Sequence, residues 1–193
     1  MTQSDVTDLA GFPNALKIDC TTADTSIAAG EALLIQQHIE GFNAQQLTAS
    51  STSTNAFTLS FYAKSNASRA IVSEINFSNG TNRQISKLHT IGTSWARYTM
   101  TVPAASSTQI DNDNSHEMDL NFWIHAGSTY TGGTLNDDAL DSITNANRAA
   151  GIGSIFASTD NTLEITGIQI EVGSKATPFE HRLFGEELAL CQR

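Results

Sequence analysis

Two stretches of this 193-residue chain alternate apolar and polar side chains with a period of two, and that period restricts the fold to sheet. In Phe57–Lys64, the residues Phe57, Leu59, Phe61 and Ala63 form one set, and Thr58, Ser60, Tyr62 and Lys64 the other. In Met118–Ala126, the residues Met118, Leu120, Phe122 and Ile124 oppose Asp119, Asn121, Trp123 and His125. A helix would scatter these sets around its circumference, whereas a strand sends each to its own face. Tyr98, Met100 and Val102 oppose Arg97, Thr99 and Thr101 in the same way. Ile168, Ile170 and Val172 oppose Gln169 and Glu171. The expected core is Leu59, Phe61, Leu120, Phe122, Ile124, Ile168 and Ile170.

The pattern predicts strands at Leu16–Cys20, Ala32–Glu40, Phe57–Lys64, Ala70–Phe77, Arg83–His89, Trp95–Val102, Met118–Ala126 and Leu163–Val172. Ile152–Ala157 is a candidate ninth. Turn-rich pieces such as Thr48–Asn55, Asn79-Gly80 and Gly127–Gly133 separate them. Gly173 ends the last strand, and Pro178 bars re-entry to a sheet. Helical spacing is confined to one or two turns within Leu135–Ala149 and to a short tail. Many short strands with variable loops describe an all-β, two-sheet sandwich, and 193 residues suit one such domain. Residues 1–15 read as an N-terminal arm, 16–182 as the sandwich and 183–193 as the tail. Leu183, Phe184, Leu188 and Leu190 make that tail apolar, yet it is too short to build its own core.

Only 16% of the residues are charged, so 20 Ser, 23 Thr and 14 Asn carry the polarity. Thr favours strands, while Asn and Ser favour turns. The net charge of −10 argues against non-specific nucleic-acid binding, which needs clustered Lys and Arg. No stretch approaches the length of a membrane span and no basic-plus-apolar leader opens the chain, so neither membrane insertion nor secretory export is expected. Cys20 and Cys191 lie too far apart in sequence for a metal or redox motif, and buried free thiols are expected rather than a disulfide.

Motifs of catalysis are missing: no nucleophile elbow, phosphate loop or dinucleotide fingerprint occurs. The five histidines show no metal-like spacing. Asp111-Asn112-Asp113-Asn114 offers the hard oxygens that Ca²⁺ accepts, with Asp111 and Asp113 as ligands. His116 stands where an EF-hand loop has its glycine, and Phe122 where it has its glutamate. A tight Asx-rich turn is the alternative. Neither an enzyme nor a bound organic cofactor is expected.

The outward-facing sets bring together Tyr62, Lys64, Arg97, Trp123, His125, Gln169 and Glu171. Aromatic faces stack on sugar C–H surface, and amide, carboxylate and guanidinium groups bind sugar hydroxyls. If the strands are neighbours in one sheet, these residues make a shallow glycan platform centred on Trp123. Two other readings fit the same residues: a subunit interface, where Trp, Tyr and Arg are enriched, or a Trp123 covered by a loop. Trp95, at a strand start, reads as a structural anchor.

Particular runs go further than the pattern. "TGIQIEVGSKATPFEH" at Thr166–His181, followed by "GEELALCQR" at Gly185–Arg193, resembles the end of jelly-roll domains in tail fibres and other virion proteins of tailed bacteriophages. "LKIDCTTADTSIAAGE", "FTLSFYAKS", "GTSWARYTMTVP", "NFWIHAGSTYTGGTL" and "NANRAAGI" look like the same group. The "SFYAKS" strand, the later W-x-R-Y strand and the closing "QIEVG" strand are also similar to carbohydrate-binding jelly-roll modules. The resemblance implies a jelly-roll sandwich in a virion structural or adhesion protein, assembled in the bacterial host cytoplasm. It implies a tail-fibre or appendage location, a homotrimer, contacts with other virion proteins and a host-surface glycan as partner. A capsid decoration or head-fibre protein is the alternative. A surface-polysaccharide depolymerase ranks behind both, because no catalytic constellation is visible.

Overall fold

The computed structural model describes every residue except 80, 107 and 193, and every side chain of these except those of Leu190 and Cys191. The Cys191 thiol and the Leu190 side chain, both part of the expectations above, lie outside what is described. Among the described residues the strands run β1 (Thr2–Asp5), β2 (Asn14–Asp19), β3 (Ala32–Glu40), β4 (Thr48–Ser50), β5 (Ser53–Thr54), β6 (Phe57–Ser65) and β7 (Arg69–Phe77). There follow β8 (Arg83–Ile91), β9 (Ala96–Val102), β10 (Ala105–Ser106), β11 (His116–Ala126), β12 (Asp141–Ser142) and β13 (Thr162–Val172). Three short helices complete the elements used below: α1 (Gly41–Ala44), α2 (Ser128–Thr131) and α3 (Phe184–Cys191).

Two five-stranded sheets, ordered β1-β2-β13-β6-β9 and β12-β8-β7-β11-β3, face each other, and β10-β5-β4 forms a small third. Pairings within the two large sheets are antiparallel, as in β6 with β9 and β7 with β8. The architecture is the two-sheet jelly-roll sandwich with a helical tail that the sequence led us to expect. Residues 1–15 contribute β1, which edges the first sheet by pairing with β2 from Thr2↔Lys17 to Asp5↔Asn14. Ile152–Ala157 is not a strand. Ser154 Oγ accepts from the Phe156 N–H at 3.0 Å and winds Ile155–Ala157 into a 3₁₀ turn. Leu135–Ala149 holds only a 3₁₀ turn at Asn145–Asn147 and the two-residue β12.

The core lies between the sheets. Leu59, Phe61, Leu120, Phe122 and Ile124 are buried there, and Ile170 packs against them. Edge-to-face contact between Phe61 and Phe122, 4.9 Å between ring centres, links the two layers. Ile168 does not join them and is 44% exposed, while Val172 at the strand end is also exposed. The cause is a bulge in β13. Leu163 and Ile165 face the core at odd positions and Ile170 at an even one, so the strand needs one extra residue between them. Thr166 pairs with Tyr62 and Gln169 with Ser60, leaving Gly167 and Ile168 opposite Phe61 alone. Gly167 takes φ +57°, the left-handed conformation that glycine adopts without strain.

Candidate functional site

Six of the seven residues divide between the two opposite outer faces. Tyr62, Lys64, Arg97, Gln169 and Glu171 lie on β6, β9 and β13 of the first sheet, and Trp123 lies on β11 of the second. His125 does not face outward: a register shift after Trp123 pairs it with Leu33, which packs against the core, and its ring meets Phe156 there. A single platform of all seven therefore does not exist, because the core separates the two groups.

Trp123 is on the outer face, as parity requires, yet it is only 1% exposed. The segment after β11 folds back over it. Tyr130 of α2 packs at 5.1 Å between ring centres, and the Arg148 guanidinium lies 4.9 Å from the indole centre. The indole Nε1–H donates to Glu74 at 2.8 Å, and Arg148 grips the same carboxylate through Nε and Nη2 at 2.8 and 2.9 Å. Val72, Ala126 and Ala149 close a second apolar cluster around the ring. Trp123 is thus a covered structural residue and not an open stacking surface. His125 is also buried; its Nδ1 lies 2.8 Å from Ser154 Oγ, and its ring meets Phe156 edge-on at 4.9 Å.

On the first sheet, the chain's own ends cover much of the outer face. Lys64 donates to both Asp8 oxygens, at 3.2 and 3.1 Å, and sits 5.0 Å from the Trp95 ring centre. Trp95 Nε1–H donates to Asp8 as well, at 2.9 Å, which fits the anchor role. Hydrogen bonds from Lys64 and then Trp95 hold the Asp8 carboxyl below its ordinary range. Tyr62 packs against Phe12, whose ring also meets Phe179 and His181 at 5.0 and 5.2 Å.

Arg97, Gln169 and Glu171 strap down the segment after β13. Arg97 Nη2 donates to Ser60 Oγ at 2.8 Å and to the Thr177 carbonyl. Gln169 Oε1 accepts from the Glu180 N–H at 2.8 Å, and its amide donates to Glu171. Glu171 also accepts from the Thr177 N–H and, at 2.9 Å, from its hydroxyl. Burial alone would raise the Glu171 carboxyl, but the Thr177 and Gln169 hydrogen bonds, with Arg97 nearby, hold it below its ordinary value.

Beside this strap runs an open groove of about 780 Å³ along β13, in the size range of ligand sites. Ile168, Val172, Pro178 and Phe179 give it apolar surface, while Gln46 and Arg182 supply exposed donors. Gln169 and Glu171 line it too, with their polar atoms partly spent on the strap. Sequence periodicity pointed to these two residues but not to Gln46, Ile168, Phe179 or Arg182. The phase change between Ile165 and Ile170, with Gly167 between them, was the available signal for the bulge that lifts Ile168 outward.

Asp111 and Asp113 lie in the loop before β11. Asp111 accepts from Gln109 and Asn79 amides at 2.8 and 2.9 Å, and these bonds, Gln109 first, lower its carboxyl. Asp113 Oδ1 accepts from the Ser115 N–H at 2.8 Å, an Asx turn. Nearby, His38, His116 and Asp119 converge, a grouping that linear spacing hid because it joins two strands. Cys20 is a buried free thiol whose S–H points to the Thr22 carbonyl at 3.3 Å.

No family model matches the chain, and no curated protein matches it. Among solved structures it is similar to the enzymatically active domain of tailspike protein 4 of bacteriophage CBA120, at 14% identity over 89% of the chain with a TM-score of 0.42. The chain spans 17% of the length of that tailspike chain. It is also similar to a family 16 carbohydrate-binding module, at 8% identity over 84% of this chain and 79% of the other, TM-score 0.37. A CBM4 carbohydrate-binding module aligns at 12% identity over 81% of this chain and 94% of the other, TM-score 0.39.

Proposed function

We propose that this chain is a carbohydrate-binding jelly-roll domain of a tailed-phage virion appendage, and that the glycan lies in the groove along β13. One observation carries the ligand class. Apolar faces from Pro178, Phe179 and Ile168 stand beside the hydroxyl-binding groups of Gln46 and Arg182 in one open groove. A pyranose presents the same alternation, with C–H faces flanked by hydroxyls. The chain acts by binding and not by catalysis. Its place in a virion rests on the resemblance of the Thr166–His181 and Gly185–Arg193 runs to phage fibre proteins. The assembly is a homotrimer held in part by α3, whose Leu183 cap and Phe184 side chain are 74% and 81% exposed in the single chain.

Retention of the purified chain on immobilised host-surface polysaccharide tests the ligand. The wild type is retained, and a Gln46→Ala/Arg182→Ala double variant loses at least tenfold in affinity. Both side chains are exposed, so the variant keeps its fold, checked by circular dichroism. Unchanged retention of the folded variant contradicts the groove, and failure of the wild type to bind any surface fraction contradicts the ligand class.

A further inference from the structure

The end of the second sheet holds a tight group of ligating atoms remote from the groove. His38 on the edge strand β3 is the register partner of Asp119 on β11. Their side chains share the outer face, with His38 Nδ1 2.6 Å from Asp119 Oδ1. His116 reaches that face through a second bulge. His116 pairs with Glu40 and Met118 with Ile39, so Glu117 is an extra residue in β11. Without it, His116 would share the core side with Met118; with it, His116 Nε2 comes to 2.7 Å from the same Asp119 oxygen. The two ring nitrogens are then 3.2 Å apart.

Two states of the triangle are open to it. With a ring N–H turned inward, Asp119 Oδ1 accepts a charge-assisted hydrogen bond, and the 2.6 and 2.7 Å separations are of that length. Neutral imidazoles that turn lone pairs inward instead leave three donor atoms around a common centre, the arrangement a metal ion takes. The circle through those atoms has a radius of about 1.7 Å, shorter than the metal–ligand bonds of about 2.0–2.1 Å that zinc makes, so one ion reaches all three. Two imidazoles and a carboxylate suit first-row divalent cations such as Zn²⁺ rather than Ca²⁺ or Mg²⁺. Both histidines are exposed, which leaves the remaining coordination positions to water or to a group from outside.

We propose that His38, His116 and Asp119 form a Zn²⁺-class transition-metal site that clips the edge strand β3 to β11. An edge strand carries unpaired backbone groups on one side and frays more readily than its neighbours, so a cross-strand clip acts where the sheet is weakest. Titration calorimetry of the full chain with Zn²⁺ reads the site directly. The expected result is one ion per chain, with affinity at least tenfold lower in His38→Ala and in His116→Ala. His181→Ala, which removes an exposed histidine elsewhere, should bind as the wild type does. Hydrogen exchange gives a second readout: Zn²⁺ should slow exchange along Ala32–Glu40 in the wild type and leave His38→Ala unchanged. No uptake by the folded wild type overturns the proposal. So does uptake that survives both substitutions, or that His181→Ala weakens equally.

Discussion

His89 lies between the sheets, 5% exposed, with its Nε2 2.8 Å from Ser73 Oγ and its ring edge-on to Phe61 and Tyr98. Burial, with the Lys87 charge adding to it, pushes the His89 pKa from 6.5 down to about 4. The unfolded chain therefore binds a proton between those values that the folded chain refuses. Stability is full above pH 6.5 and falls as the pH drops towards 4, by about 3 kcal/mol from this group alone. His89→Gln keeps a partner for Ser73 and removes the titration. Urea unfolding between pH 7 and 4 should show a shallower loss of stability in the variant than in the wild type; equal slopes would refute the assignment. Trp123 makes a second residue-scale test. Its truncation opens a cavity beneath Tyr130 and removes one donor to the buried Glu74 carboxylate. Trp123→Ala should cost about 3–5 kcal/mol in chemical denaturation, whereas an exposed platform residue would cost almost nothing.

At the scale of elements, two bulges decide which residues form sites. The bulge at Gly167 exposes Ile168 to the groove, and the one at Glu117 turns His116 towards Asp119. Alternation made Phe57–Lys64 and Met118–Ala126 legible in sequence, because a strand between a core and an outer face must alternate. It also placed Trp123 on the outer face correctly. It could not say that Tyr130 and Arg148 would cover that face, since those contacts come from a loop with no period of its own. Nor could it bring His38 to His116, because pairing β3 with β11 spans 78 residues. Gly167 was readable as an interruption, while Glu117 carried no such mark. A β-carbon at Gly167 would come within 2.6 Å of the Phe12 ring and would sit on a left-handed backbone. Gly167→Ala should therefore destabilise the chain by about 1–3 kcal/mol. It should also speed proteolysis of residues 1–13 as Phe12 is displaced, and protease resistance equal to the wild type would count against this packing.

For the molecule as a whole, both chain ends are fastened to the outer face of the first sheet, through Asp8 and Phe12 on one side and Thr177 and Phe179 on the other. α3 follows this fastening and offers Leu183, Phe184 and Leu188 to its surroundings. An eight-residue helix is marginal alone, so its apolar side chains need a surface. Light scattering at high micromolar concentration should report a trimer for the wild type and smaller species for Phe184→Ser. A wild type that stays monomeric would refute the assembly. The central claim concerns the groove along β13, and chemical-shift mapping tests it most directly. Oligosaccharide fragments of the host-surface polysaccharide, titrated into isotope-labelled protein, should shift resonances of Gln46, Ile168–Val172 and Thr177–Arg182 together and leave the Trp123 side chain still. Shifts confined to the second sheet, or none at saturating sugar, would contradict it.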